Sequence, residues 1–307
     1  MLDRTLTASQ DNRIEKLAAV HPCFTEAAAL RHGRMHLPVA PRCNLGCNYC
    51  ERTIGPEATS IGGPGSAERL ISPDEAAVRV DAINPLGWLH VVGIAGPAEP
   101  LASPETFQTL RLVHAAHPEL VLCLSTNGLN LEQALPDLIG LGLRALTVTI
   151  NTTDPRIASL LYAWADGKGD RMRGVRAMEE VVARQWRGLA AAVEAGLLVK
   201  VNSVLIPEIN DVGLVDVARR AADLGAHRQN IMPLIPRGRM RDRRPPSREE
   251  LAAVQQECER WIPQFRGCTQ CPADVIEPPL LSAEGGNTCA AQSCASAMTK
   301  SCMPTTA

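Results

Sequence analysis

The 307-residue sequence has few aromatic residues, almost no net charge and no long hydrophobic run. Phe, Trp and Tyr make up 3% of the chain, a scarcity that decides nothing about function. A net charge of -2 gives no electrostatic basis for binding nucleic acid or an anionic membrane. No apolar run approaches the ~20 residues that span a bilayer. Residues 1–16 also lack the apolar stretch of a secretory signal. We therefore expect a cytoplasmic protein whose partners include neither nucleic acid nor membrane.

Hydrophobic residues and cysteines are both well represented. A hydrophobic content of 45% suffices for a sizeable core, in one large α/β barrel or in two modest domains. Eleven cysteines in a chain with no secretory signal indicate metal binding before they indicate disulfides.

Short β-branched runs alternate with longer helical patterns along the chain. The predicted strands are residues 35–41, 89–94, 121–125, 145–150, 198–206 and 230–235. The predicted helices are residues 73–83, 104–117, 131–141, 175–195, 212–224 and 247–262. Ser72 and Ser103 each precede a proline and are predicted helix N-caps.

Six β/α units in succession predict parallel strands joined by right-handed crossovers. The fold class is therefore α/β, and the predicted architecture is a complete or partial (β/α) barrel of the TIM type. Such barrels place their chemistry at the C-terminal ends of the strands. The Gly- and Pro-rich residues 54–65 are predicted to form a loop over the barrel mouth.

Three cysteines follow the first predicted strand with x3 and x2 spacing: Cys43, Cys47 and Cys50. A [4Fe-4S] cluster normally takes four thiolates, so a triplet binds the cluster and leaves one iron open for chemistry. A structural zinc site needs a fourth Cys or His nearby, and none occurs in residues 51–60. The alternative is three unrelated core cysteines.

This spacing, with Tyr49 directly before the last cysteine, resembles the signature of the radical S-adenosylmethionine (radical SAM) enzymes. The resemblance implies that the open iron chelates the amino and carboxylate groups of S-adenosylmethionine. It also implies that Tyr49 lies near the adenine.

Small and polar residues occur at or near the ends of later strands, where they could contact that cofactor. For any one of them, a turn or strand-end cap is the alternative role. Their occurrence at successive strands favours contact. These candidate cofactor-binding residues are Gly93, Gly96, Glu99, Ser125, Asn127, Asn151, Asn202 and Ser203.

Ordered segments from residue 21 to residue 274 resemble the NifB family of radical SAM proteins, which act in nitrogenase cofactor biosynthesis. The resemblance implies fusion of two further [4Fe-4S] clusters and insertion of a carbon from S-adenosylmethionine. The segments that carry it are residues 21–24, 35–41, 43–50, 92–97, 122–128, 199–204, 230–235 and 268–271.

The same resemblance implies ligands for the two substrate clusters. Cys23, Cys268 and Cys271 match one set, and His21 with Cys123 matches part of the other. The resemblance also makes Cys123 a candidate catalytic residue. From the residues alone, Cys268-x2-Cys271 indicates metal, Cys123 in an apolar strand would be core, and His21 carries no signal.

The chain departs from the family pattern in its ligands. NifB proteins usually carry another cysteine five or six residues beyond the triplet, where this chain has Gly55 and Pro56. The family aspartate after Gly-Pro is replaced by Glu99, and Glu68 matches a catalytic acidic residue loosely. A carboxylate or a tail cysteine could replace the missing ligand, or the chain could be a paralogue with changed chemistry. The tail cysteines, which could also be incidental, are Cys289, Cys294 and Cys302.

These observations predict a radical SAM cofactor-assembly enzyme with four segments. They are an N-terminal extension with cluster ligands (1–34), the barrel (35–262), a CxxC segment (263–281) and a mobile tail (282–307). The expected partners are a low-potential electron donor such as a ferredoxin or flavodoxin, a cluster donor and a downstream cofactor carrier. The alternatives are a radical SAM enzyme that modifies a peptide or metabolite and a non-catalytic cluster carrier.

Overall fold

The computed structural model describes residues 8–167 and 170–281. The ten α-helices of that part are α1 Ala8–Val20, α2 Glu26–Arg31, α3 Ala58–Ile61, α4 Pro73–Ile83, α5 Pro104–Ala116, α6 Leu131–Gly140, α7 Pro155–Leu161, α8 Gly174–Glu194, α9 Leu214–Asp223 and α10 Arg248–Glu259. Its strands are β1 Gly33–His36, β2 Leu45–Cys47, β3 Thr53–Ile54, β4 Ser66–Ala67, β5 Leu89–Ile94, β6 Val121–Thr126, β7 Leu143–Thr149, β8 Tyr162–Asp166, β9 Arg171–Met172, β10 Leu198–Leu205, β11 Arg228–Pro233 and β12 Ile276–Glu277.

The main sheet is parallel except at one edge. Its strand order is β11-β10-β7-β6-β5-β1-β12, and only β12 runs antiparallel. All six parallel strands contribute residues to one central cavity, so the sheet curls around it. The fold is a partial (β/α) barrel, as the sequence predicts.

The first and last segments of the described region cover one end and the open side of the barrel. Ile14 of α1 and Phe24 pack on residues at the starts of the parallel strands, which closes that end. Residues 263–277, which we call the C-terminal segment, join the two edges of the sheet. Phe265 N donates to Gln229 O of β11, and β12 at the other end pairs with β1. The segment thereby crosses the side that a partial barrel leaves open.

The predicted helices are all present, with ends displaced by at most a few residues. Ser72 caps α4 in a capping box. Ser103 occupies the N-cap position of α5, as predicted, but its Oγ accepts from Arg42 N and donates to Glu99 O and makes no hydrogen bond to the helix. The first strand was predicted over residues 35–41 and is instead Gly33–His36. Pro38 has no N–H to donate to a ladder, so the chain leaves the sheet there.

Several short elements were not predicted. They are α1, α2, α3 and α7, the small sheet in which β2 pairs with β8 and β8 with β9, the pair β3-β4, and β12. The helix α3 interrupts residues 54–65, which were predicted to form a loop. Within the described residues, no helix is both long and apolar enough to cross a membrane. Cys289, Cys294 and Cys302 lie outside the described residues.

Candidate functional site

The barrel encloses a cavity of about 420 Å³. Its walls come from the six parallel strands, the cysteine triplet and the C-terminal segment. Seven of the eight described cysteines line it: Cys23, Cys43, Cys47, Cys50, Cys123, Cys268 and Cys271. Cys258 is buried in α10, belongs to the hydrophobic core and donates to Leu214 O.

The triplet lies at one end of this cavity. Pairing of β2 with β8 fixes the loop that carries Cys43, Cys47 and Cys50. Burial raises the pKa of all three thiols, and the charges of Cys50 and Cys43 raise that of Cys47 further. Three thiols that oppose one another's ionisation bind as thiolates only with a cationic partner. An iron-sulfur cluster that takes one thiolate on each of three irons suits this donor set.

Tyr49 and Asn151 form a polar network beside the triplet. The Nδ2 of Asn151 donates to the hydroxyl of Tyr49 at 2.7 Å and to that of Tyr162 at 3.0 Å. Its Oδ1 accepts from Val204 N of β10. Tyr49 lines the cavity, whereas Asn151 is fully buried outside its lining. Asn151 therefore positions the tyrosine hydroxyl from outside the cavity lining.

Glu99 joins the loops that follow β5 and β6. One carboxylate oxygen accepts from Thr126 Oγ1 at 2.5 Å and from Leu101 N at 3.0 Å, and the other accepts from Asn127 N at 2.8 Å. The side chain lines the cavity but is almost fully buried. Burial outweighs these hydrogen bonds and raises the pKa of Glu99 to about 7.

The predicted cofactor-binding residues divide into two groups. Gly93, Ser125, Asn127 and Asn202 line the cavity, together with Tyr49 and Glu99. Gly96, Asn151 and Ser203 do not line it.

The two glycines serve packing between protein segments. A Cβ at Gly93 would lie 3.0 Å from the ring of His36, and one at Gly96 would lie 3.3 Å from Cβ of Ala273. Gly96 has φ +139, which also disfavours a side chain. Ser203 is buried and donates to Ile150 O. Gly93 therefore forms part of the cavity wall, and Gly96 and Ser203 support the wall from outside the lining.

Four cysteines form a second group in the same cavity: Cys23, Cys123, Cys268 and Cys271. Burial works to raise the pKa of Cys23. Interactions with His21 and His36 and the charges of Arg34 and Lys200 more than compensate, so the pKa falls well below its usual value.

The pKa values of Cys271 and Cys123 are shifted in opposite directions. Burial opposes ionisation of Cys271 as well, but the charge of His36 and its hydrogen bond lower the pKa of that thiol overall. Burial raises the pKa of Cys123 to about 12.

Three basic residues around Cys23 were not singled out by sequence reasoning. Arg34 Nη1 lies 2.6 Å from the sulfur of Cys23, and Lys200 Nζ donates to the carbonyl oxygen of Cys23 at 2.7 Å. The Nδ1 of His36 lies 3.9 Å from the sulfur of Cys271. Burial disfavours charge on His36, but the nearby thiolates raise its pKa to about 10. Alternation along β1 and β10 gives no sign of these contacts, because the partner cysteines lie on the segment before β1 and on the C-terminal segment.

His21 is buried next to Cys23 and outside the cavity lining. Its Nδ1 accepts from the backbone N of Cys23 at 3.1 Å. Its Nε2 has no hydrogen-bond partner among the residues that the structure describes. An unpartnered imidazole nitrogen beside thiols fits a ligand of an iron-sulfur cluster.

Glu68 is exposed and does not line the cavity; its backbone N donates to Asp274. Gly55 and Pro56, where the family places a cysteine, also lie outside the lining.

In the described ranges, no three His, Cys, Asp or Glu side chains converge on a single metal ion. Ligands of one zinc ion lie within about 4.6 Å of each other, because Zn–S is about 2.3 Å. Ligands of a cluster bind different irons and lie further apart.

Comparison with known proteins gives the family. Residues 37–221 match the Radical SAM superfamily. The FeMo cofactor biosynthesis protein NifB of Methanocaldococcus jannaschii is 40% identical over 269 residues, which cover 86% of this chain and 89% of that protein. The chain belongs to the NifB family of radical SAM enzymes. NifB of Klebsiella pneumoniae is 45% identical over 267 residues, 84% of this chain, but this NifB-family chain spans only 57% of that protein.

Comparison of this NifB-family chain with a solved structure bears only on its fold. SuiB of Streptococcus suis with bound S-adenosylmethionine superimposes with a TM-score of 0.53 at 12% identity, covering 88% of this chain and 58% of SuiB.

Proposed function

We propose that this chain assembles a nitrogenase cofactor precursor. It would fuse two [4Fe-4S] clusters, bound as substrates, into an eight-iron core and insert a carbon taken from S-adenosylmethionine. The observation that carries this proposal is the position of two separate cysteine groups in one cavity, the triplet and the group around Cys23. The family supports it, since relatives that share most of this chain are named for cofactor biosynthesis.

The triplet is the proposed seat of the catalytic cluster. Cys43, Cys47 and Cys50 would hold three irons and leave the fourth free for S-adenosylmethionine. When bound there, the cluster supplies the electron that cleaves S-adenosylmethionine to methionine and a 5'-deoxyadenosyl radical. Tyr49 is held by Asn151 at the cavity wall, in a position to contact the adenosyl group. The cavity walls exclude water and keep the reacting groups together.

The second group is the proposed seat of the substrate clusters. Arg34, His36 and Lys200 place positive charge around Cys23 and Cys271, which lowers the pKa of both thiols and favours their thiolate forms. Thiolates are the form that binds iron. Glu99 and the lining residues Ser125, Asn127 and Asn202 remain proposed contacts for S-adenosylmethionine, and Cys268, Cys123 and His21 remain proposed cluster ligands. Glu68 stays a catalytic candidate by resemblance only, because it lies outside the lining.

Partners follow from this chemistry. The chain needs a low-potential electron donor, a source of iron-sulfur clusters and a carrier that accepts the product.

The test is anaerobic reconstitution of the full chain followed by incubation with S-adenosylmethionine and reductant. 5'-Deoxyadenosine and S-adenosylhomocysteine should form together, because one reports radical formation and the other methyl transfer. Iron and acid-labile sulfide are measured before and after, since only an assembly enzyme consumes its additional clusters. 5'-Deoxyadenosine alone, with cluster content unchanged, would instead indicate modification of a peptide or metabolite. Neither product would indicate a cluster carrier.

A further inference from the structure

A strongly basic loop follows β11 and takes no part in the functions described so far. Residues 237–244, which we call the arginine loop, contain five arginines and one acidic residue, Asp242. The net charge of the whole chain is -2, so this is a local concentration of positive charge on a nearly neutral protein.

The arginine loop packs directly against the cysteine triplet loop. The backbone N of Arg239 donates to Asn48 O at 2.9 Å. Gly238 has φ +57, and a Cβ there would lie 2.7 Å from the carbonyl oxygen of Cys50. Only glycine fits so close an approach, which fixes the loop beside Cys50, an exposed residue. The loop therefore forms part of the protein surface nearest the catalytic cluster.

Several charges of this surface are not used within the protein. In the part of the chain that the structure describes, Arg239 and Arg243 are exposed and form no ion pair. Arg241 meets only the neighbouring Asp242 at 3.9 Å, and both side chains are more than three-quarters exposed. Arg52, on the triplet loop, is exposed and donates only to a carbonyl oxygen, that of Pro41. Arg244 differs, since Glu250 pairs with it at 2.7 Å.

Unpaired arginines on one surface repel each other and add nothing to folding stability. They do attract an oppositely charged partner and raise its rate of association. The donor of the catalytic electron must approach the triplet, and this loop is the surface it would meet there.

We propose that the arginine loop, together with Arg52, is the docking surface for an acidic, low-potential electron-transfer protein of the flavodoxin or ferredoxin type. The inference rests on the proposed function, because it assumes that the triplet holds the cluster that receives the electron. In each encounter a flavodoxin hydroquinone loses one electron and becomes a semiquinone, and the catalytic cluster gains that electron. A small charged surface suits such encounters, since redox complexes bury little area and dissociate readily.

The test measures binding without turnover. The reconstituted full chain is titrated with an oxidised acidic flavodoxin by isothermal titration calorimetry, at low salt and at ~1 M salt, where the Debye length is about 3 Å. The double variant Arg239→Glu/Arg243→Glu should weaken binding at low salt by at least about tenfold. High salt should remove most of the difference between the variant and the wild type.

A matched control carries the same change in net charge at the other end of the barrel. Arg13 and Lys16 are exposed on α1 and form no ion pair among the described residues. Arg13→Glu/Lys16→Glu should change the affinity by less than about threefold, because α1 packs at the starts of the parallel strands, away from the triplet loop that follows β1. Equal weakening by both double variants would reduce the effect to net charge and overturn the proposal, as would unchanged binding by the loop variant.

Two further measurements distinguish this proposal from its alternatives. With dithionite as reductant, 5'-deoxyadenosine formation should be the same in both double variants and the wild type, which also shows that the variants fold. If the wild type fails to cleave S-adenosylmethionine even with dithionite, the proposed function fails, while the binding result still decides the docking surface. Tighter binding of a duplex oligonucleotide or an anionic vesicle than of flavodoxin, lost in the loop variant, would overturn the acidic donor as the partner.

Discussion

Arg34 contacts both the sulfur of Cys23, at 2.6 Å, and the carboxylate of Glu277 on β12. It is itself buried, and the nearby negative charges of Cys23, Cys271 and Glu277 outweigh burial and raise its pKa. One side chain of β1 therefore links ionisation of Cys23 to the attachment of the C-terminal segment, which carries Cys268 and Cys271.

Arg34→Met should make Cys23 harder to ionise. The guanidinium favours the thiolate, so its removal should shift the pH midpoint of Cys23 alkylation upward by about one unit. The midpoint is measured on cluster-free protein by iodoacetamide labelling and peptide mass spectrometry. Lys200→Met is the matched comparison and should produce a smaller shift, because Lys200 bonds the carbonyl of Cys23 and not its sulfur. An unchanged midpoint in Arg34→Met would show that the guanidinium does not control ionisation of Cys23 and would leave that role to His21, His36 and Lys200.

Cys47→Ala should abolish reductive cleavage of S-adenosylmethionine. Loss of one of three thiolates removes the ligand set that leaves a single iron open. Iron bound elsewhere on the chain should remain. Cys258→Ala is the control, since that thiol is core and lies outside the cavity. Formation of 5'-deoxyadenosine at the wild-type rate in Cys47→Ala would remove the triplet from the chemistry.

Local signals in the sequence were sufficient for the framework. The helices that follow Ser72-Pro73 and Ser103-Pro104 begin where proline and serine predict them, because these preferences act over one turn. The position of the triplet after β1 was predictable because (β/α) barrels place their chemistry at the C-terminal ends of the strands. Parallel strands were predictable because each is a short apolar run between helices.

Contacts between distant segments were not predictable in the same way. The pairing of Arg34 with Cys23 depends on how the segment before β1 folds under the barrel, and that of His36 with Cys271 depends on the C-terminal segment crossing its open side. Gly96 shows the same limit. Its sequence context suggested a contact with S-adenosylmethionine. The sequence did not show that Ala273, more than 170 residues away, lies where a side chain at this position would be.

Cys271→Ala should lower the iron content by about four atoms per chain, the content of one [4Fe-4S] cluster. Formation of S-adenosylhomocysteine should stop with it, because under the proposed function the methyl acceptor is a substrate cluster held by this group. The catalytic cluster should survive, which electron paramagnetic resonance of the reduced protein can verify. Cys258→Ala again serves as the control. Undiminished S-adenosylhomocysteine in Cys271→Ala would show that Cys268-x2-Cys271 is not part of a substrate site.

The last prediction concerns the pH dependence of stability through Glu99. Its pKa is about 7 in the folded protein, against 4.5 for an ordinary glutamate, because burial disfavours the carboxylate. Between these two values the folded state binds more protons than the unfolded state, so the free energy of unfolding falls as pH rises.

Glu99→Gln cannot titrate and should lack this contribution. Its amide nitrogen must face Leu101 N or Asn127 N, both donors, so the variant should start less stable at low pH by about 1–3 kcal/mol. The wild-type advantage should then shrink by roughly 2 kcal/mol between about pH 5 and pH 8, with most of the loss complete when the pH reaches the folded pKa. The difference in the free energy of unfolding is measured by urea unfolding of both cluster-free proteins at each pH. Circular dichroism follows the unfolding, and a reductant is present throughout. Because every other titrating group is shared, a difference that stays constant with pH would mean that Glu99 is ionised at all these pH values.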